Sequence, residues 1–73
     1  MELAILELLD EHGQLSVDRI AGALSEPLDS VRVAVALLQR EMLVDPIGET
    51  DGDGQSWALT DAGRNEVRRW RVA

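Results

Sequence analysis

The sequence has no cysteine, no lysine, no phenylalanine and no tyrosine. Without cysteine there is neither a disulfide staple nor a thiolate metal site to hold a small core. Aromatic residues make up only 3% of the chain, and Trp57 and Trp70 are its only large rings. The core is therefore expected to consist of Leu, Val, Ile and Ala around these two indoles. Long apolar runs are missing too, and none approaches membrane-spanning length. Met1 leads straight into an acidic amphipathic stretch, where a signal peptide would need a basic start and an uninterrupted apolar segment. The expectation is a soluble, cytoplasmic, single domain spanning residues 1–73 with no membrane partner, since 73 residues bury one modest core.

The chain has acid in excess. Asp and Glu number 14 against 7 basic residues, all arginine, for a net charge of -7. Such a balance opposes approach to phosphate backbones, because the long-range field repels polyanions. It suits a basic partner, or surroundings of high salt in which that repulsion is screened.

The periodicity predicts a helix over 2–11, with Leu3, Ile5, Leu6, Leu8 and Leu9 on its apolar face and Gly13 as its stop. Gln14-Leu15 allows a strand stub. Ser16 is placed to cap a second helix through about Leu24, with Val17, Ile20, Ala21 and Leu24 inward. Pro27 breaks the pattern, and Asp29 reads as the N-cap of a third helix at about 29–41. Met42–Ile47 is suited to a strand and Ser56–Leu59 to its return. Between them lies a flexible, acidic loop holding Gly48, Gly52 and Gly54. Thr60 or Asp61 caps a last helix of about 61–71, in which Val67 and Trp70 share a face.

In that order, three stretches carry a resemblance. They are Leu15-Ser16-Val17-Asp18-Arg19-Ile20-Ala21 opening the second helix, Leu24 through Val31 at the turn, and Leu38 with Leu43-Val44 after the third helix. A fourth is Trp57-Ala58-Leu59-Thr60-Asp61-Ala62-Gly63-Arg64. Together they resemble the winged helix-turn-helix family of small bacterial and archaeal regulators. The resemblance implies a mainly α fold with a small β-hairpin: a three-helix core, a wing at about 42–60 and a C-terminal helix. It also implies that the third helix enters a major groove while the wing touches the backbone or the minor groove.

The residues complicate that implication. With Val31, Val35 and Leu38 facing the core, the third helix offers Ser30, Arg32, Val33, Ala36, Leu37 and Arg40 elsewhere. Ser30, Arg32 and Arg40 suit DNA contact near the helix start and at a phosphate. Val33, Ala36 and Leu37 cannot hydrogen-bond to a base edge and reach at most a thymine methyl. A helix apolar on so many sides is either covered all round or exposes a patch for a partner. The wing carries Glu49, Asp51 and Asp53 with no basic residue. Basic density lies instead in the last helix, where Arg64, Arg68 and Arg71 line one face beside Arg69. These arginines either sit solvated, paired with acids such as Glu66, or offer a dock for an anionic partner.

Other chemistry is set aside. Glu49 through Gly54 imitates the first half of an EF-hand loop, but its twelfth position is Thr60 where a bidentate Glu belongs. His12 is the only histidine, so no transition-metal set or Ser-His pair can be assembled around a second one. No cofactor, metal or catalytic residue is expected. Two functions follow. The first is a DNA-binding transcriptional regulator, acting on double-stranded DNA as a homodimer through its first or last helix, with Ser30, Arg32, Val33 and Arg40 on the DNA. The second is a protein-interaction module for a basic partner, using Val33, Ala36 and Leu37 together with Arg64 and Arg68.

Overall fold

The structure, a computed structural model, describes residues 1–72. Helix α1, Glu2–His12, buries Ile5, Leu6 and Leu9 and stops at Gly13. Gly13 takes φ 85° and donates its N–H to the Leu9 carbonyl at 2.8 Å. Strand β1, Leu15–Ser16, follows, and helix α2, Val17–Leu24, starts on the Ser16 cap. The Ser16 Oγ accepts from the Arg19 N–H at 3.3 Å, filling one of the donors a helix start leaves open. A three-residue turn joins α2 to helix α3, Leu28–Arg40.

Asp29 is not the cap of α3, contrary to the sequence expectation. The cap position is Pro27, whose extended backbone (φ -62°, ψ 144°) is already set for a helix start. The first helical bond runs from the Val31 N–H to the Pro27 carbonyl at 3.2 Å. Asp29 therefore lies inside the first turn, where its charge still favours the helix dipole.

The first strand of the wing is shorter than expected, its return spans Ser56–Leu59 as read from the sequence, and the wing contains more than a hairpin. Met42 and Leu43 belong to a turn, not to the strand predicted from Met42. Met42 takes a left-handed φ of 63°, with its N–H bonded to the Gln39 carbonyl at 2.9 Å and that of Leu43 to Leu38 at 2.9 Å. An apolar run hid this helix stop, which usually takes a glycine. Strand β2, Val44–Ile47, and strand β3, Ser56–Leu59, then pair antiparallel with Val44 opposite Leu59 and Ile47 opposite Ser56. β1 adds to the other side of β3, giving a three-stranded sheet in the order β1-β3-β2. The connecting loop is partly ordered by a 3₁₀ turn at Gly52–Gly54.

Helix α4, Asp61–Val72, closes the domain. Of the two cap candidates Thr60 is used: its Oγ1 accepts from the Gly63 N–H at 3.0 Å and donates to the Met42 carbonyl at 2.7 Å. Its own N–H bonds the Leu43 carbonyl at 3.0 Å. One residue thereby ties the turn after α3 to the start of α4. Thr60→Val is expected to lose both hydroxyl bonds, costing about 2 kcal/mol and lowering Tm by roughly 10 °C in a thermal melt followed by circular dichroism. A melt within about 2 °C of the parent would remove the hydroxyl from this role.

The core is aliphatic. α1 contributes Ile5, Leu6 and Leu9; α2 Val17, Ile20 and Ala21; α3 Val31, Ala34, Val35 and Leu38; and Val44, Leu59 and Val67 complete it. Trp57 packs partly buried against this cluster. Trp70 does not join it, contrary to the sequence expectation. It is 57% exposed, because Val67 takes the inward position of α4 and Trp70 stands one turn further along, at the rim of a groove formed with Leu3 and Leu43. No described polar or charged residue is buried.

Candidate nucleic-acid interface

α3 has two faces set by helical spacing. Val31, Ala34, Val35 and Leu38 point into the core at i, i+3, i+4 and i+7. The opposite stripe carries Asp29, Ser30, Val33, Ala36, Leu37 and Arg40, all exposed. Val33 is 61% exposed and Leu37 41%, so among the described residues no element of the fold covers this face. Of the two states the sequence left open, covered all round or exposed, the exposed one holds. Ser30 stands at the start of the stripe and Arg40 in the last turn.

Arg32 and Gln39 flank that stripe on the side of the wing. With Val17, Val35, Ala36 and Trp57 they line an open cleft of about 250 Å³ between α3 and the loop of the wing. The Trp57 Nε1 is buried there without a hydrogen-bond partner among the described residues.

Arg32 is occupied. Its Nε donates to Asp53 Oδ1 at 2.7 Å and its Nη2 to Asp53 Oδ2, a two-pronged contact from α3 to the 3₁₀ turn of the wing. Its Nη1 donates to Asp29 Oδ1 at 2.5 Å. The loop is able to fold back because Gly52 takes φ 72° and Asp53 sits between two glycines. The hydrogen bonds and charge of Asp53 raise the Arg32 guanidinium above its usual pKa, opposed by a smaller burial effect and assisted by Asp29. In return, the hydrogen bond from Arg32 holds the Asp53 carboxyl below the usual carboxylate range, against partial burial. A depressed carboxylate stabilises the fold above the ordinary carboxylate range, and that contribution is lost only as pH falls through the lowered value. With the Arg32 side chain 49% exposed, solvent screens much of this.

The pairing changes how the wing reads. The sequence counts Glu49, Asp51 and Asp53 as an acidic tip, yet Asp53 is paired with Arg32 within the fold, and Glu49 and Asp51 are exposed without a cationic partner among the described residues. Nothing local in the sequence announces this contact, which joins positions 21 apart.

The arginines of α4 stand away from this face and are largely spent. Arg64 pairs with Asp61 at 2.9 Å, Arg69 with Glu66 at 3.1 Å, and Arg71 with Asp10 of α1 at 2.8 Å. Arg68 has no carboxylate partner among the described residues, and the same holds for Arg19 on α2, which sequence reasoning did not single out. Among the described residues no group of three or more His, Asp or Glu is placed to hold a metal ion. No described helix is long and apolar enough to cross a membrane.

Three helices, a short turn between α2 and α3, and a β2–β3 wing define a winged helix-turn-helix domain. No protein-family model matches the sequence, and no curated protein matches it. Solved structures do. The chain is similar to the YusO protein from Bacillus subtilis, with 24% identity and a TM-score of 0.87 over 97% of this chain and 51% of that one. It is similar to NMB1585, a MarR family regulator from Neisseria meningitidis, with 23% identity and a TM-score of 0.86 over 97% and 51% of the two chains. PadR from Bacillus subtilis, solved in complex with operator DNA, gives 24% identity and a TM-score of 0.82 over 99% and 46%. These likenesses establish the fold. The chain spans about half the length of the solved proteins it matches.

Proposed function

We propose that this chain is the DNA-binding part of a transcriptional regulator, non-catalytic and cytoplasmic, with double-stranded DNA as its partner. α3 enters the major groove and the wing lies along the adjoining backbone or minor groove. The observation that carries the reading is the uncovered outer face of α3, bordered by Ser30, Arg32 and Arg40. In this reading Arg40 holds a phosphate, Ser30 donates near the helix start, Val33 faces the bases, and Arg32 joins once Asp53 releases it. A solved domain of the same fold bound to operator DNA supports it. Two copies joined through α1 or α4, where Met1 and Trp70 are exposed, present two α3 helices to grooves about 34 Å apart.

Titrating labelled duplex DNA at about 50 and about 200 mM salt tests the reading. Binding is expected at the lower salt and is weaker at the higher. Arg40→Ala should weaken it about equally on all sequences and reduce the salt slope by about 1. If no duplex binds at the lower salt, the reading is wrong.

A further inference from the structure

We infer that α3 selects its site through the 5-methyl groups of thymine, with Val33 and Leu37 as the reading side chains; this rests on the DNA-binding function proposed above. The centre of the outward stripe is Val33, Ala36 and Leu37, and none of these side chains has a donor or acceptor. Of the groups a base pair shows in the major groove, the thymine methyl is the largest apolar one. Set against the hydrogen-bonding edge of guanine or cytosine, Val33 and Leu37 would strip water from polar atoms and give nothing back. Set against a methyl, they bury apolar surface on both sides. The face therefore discriminates twice, by gain at thymine and by loss elsewhere.

Val33 and Leu37 are one helical turn apart, about 6 Å along the axis of α3, so a helix lying in the groove sets them over different base pairs. Polar groups stand where backbone contacts belong: Ser30 and Arg40 at the two ends of the stripe, Arg32 and Gln39 along its wing side. A protein partner fits the same patch poorly. A specific protein interface takes roughly 20–30 residues a side, whereas three short apolar side chains bordered by Ser30, Gln39 and Arg40 match a groove.

The experiment starts from duplexes selected out of a random-sequence pool by the whole chain at low salt. The enriched duplex is resynthesised with uracil in place of each thymine in turn, which removes the methyl and changes no hydrogen-bonding group. The expected result is a loss of about fourfold in affinity at each of two positions, the equivalent of roughly 0.8 kcal/mol per methyl, with the salt slope unchanged. The double variant Val33→Ala with Leu37→Ala, altered only at exposed positions, should bind thymine and uracil forms alike. Equal affinity of the parent for both forms overturns the inference while leaving DNA binding standing. Failure of every duplex to bind at low salt removes the DNA reading, and this inference with it. If the double variant loses self-association in sedimentation velocity while the parent ignores uracil, the face is a protein interface and the inference is overturned.

Discussion

Gly63→Ala is expected to destabilise the domain by about 3 kcal/mol and to leave it only marginally stable near physiological temperature. A Cβ built at Gly63 falls 2.2 Å from the Leu43 carbonyl oxygen and 3.1 Å from Leu59 Cδ2. The first obstacle is backbone, and it is held in place because that carbonyl accepts the Thr60 N–H at 3.0 Å. Moving it would break the bond that joins the turn after α3 to α4. Intrinsic propensity pulls the other way, since alanine in a helix is better than glycine by about 1 kcal/mol, but this is the smaller effect. A small aliphatic core rarely holds more than about 5 kcal/mol in total, so the loss takes most of it. Urea titration followed by circular dichroism decides the matter. A variant as stable as the parent, or more so, would mean that α4 does not approach the turn this closely.

Asp53→Asn is expected to raise affinity for duplex DNA on the order of tenfold at about 50 mM salt and about threefold at about 200 mM. The substitution keeps the shape of the side chain and removes the charge that holds Arg32 in its two-pronged contact. Asp29 still holds Nη1, but Nε and Nη2 are then available to a phosphate, and one more neutralised phosphate steepens the dependence of log K on log salt by about 0.9. Arg32→Ala placed on top of Asp53→Asn should cancel the gain, and alone in the parent it should cost less than in that variant, because there a phosphate must displace Asp53 before Arg32 can contribute. Anisotropy titrations across a salt series give both quantities. An unchanged affinity together with an unchanged slope would mean that Asp53 does not compete with DNA. Mild acidification is no substitute for the mutation, since Arg32 keeps the Asp53 carboxyl ionised below the usual range.

Much of the fold could be read because its signals are local. Gly13 and Ser16 frame the first two helices, Pro27 marks the break before the third, and Thr60, one of two cap candidates, is the cap of the fourth. The stretch from Trp57 to Arg64 resembled the winged-helix family, and its physical content is now plain: Thr60 and Gly63 converge on one carbonyl, that of Leu43. The errors came where a neighbour in space outweighed a neighbour in sequence. Asp29 looks like a cap, but the preset backbone of Pro27 starts the helix two residues earlier. Met42 looks like strand, yet the chain must turn there to bring Val44 opposite Leu59. Trp70 looks like core, but a core filled by Val67 and the leucines has no room for it. The candidate face was half legible. Helical spacing listed its residues, whereas its openness and the hold of Asp53 on Arg32 depend on how the wing folds back.

The rims of the small sheet also limit how the molecule can go wrong. β1 on one side offers only two residues to an incoming strand. β2 on the other carries Pro46, which has no amide hydrogen to donate, next to the charge of Asp45. Neither rim is a template for strand addition, so the sheet is protected from growing into fibrils even where the wing is fully exposed.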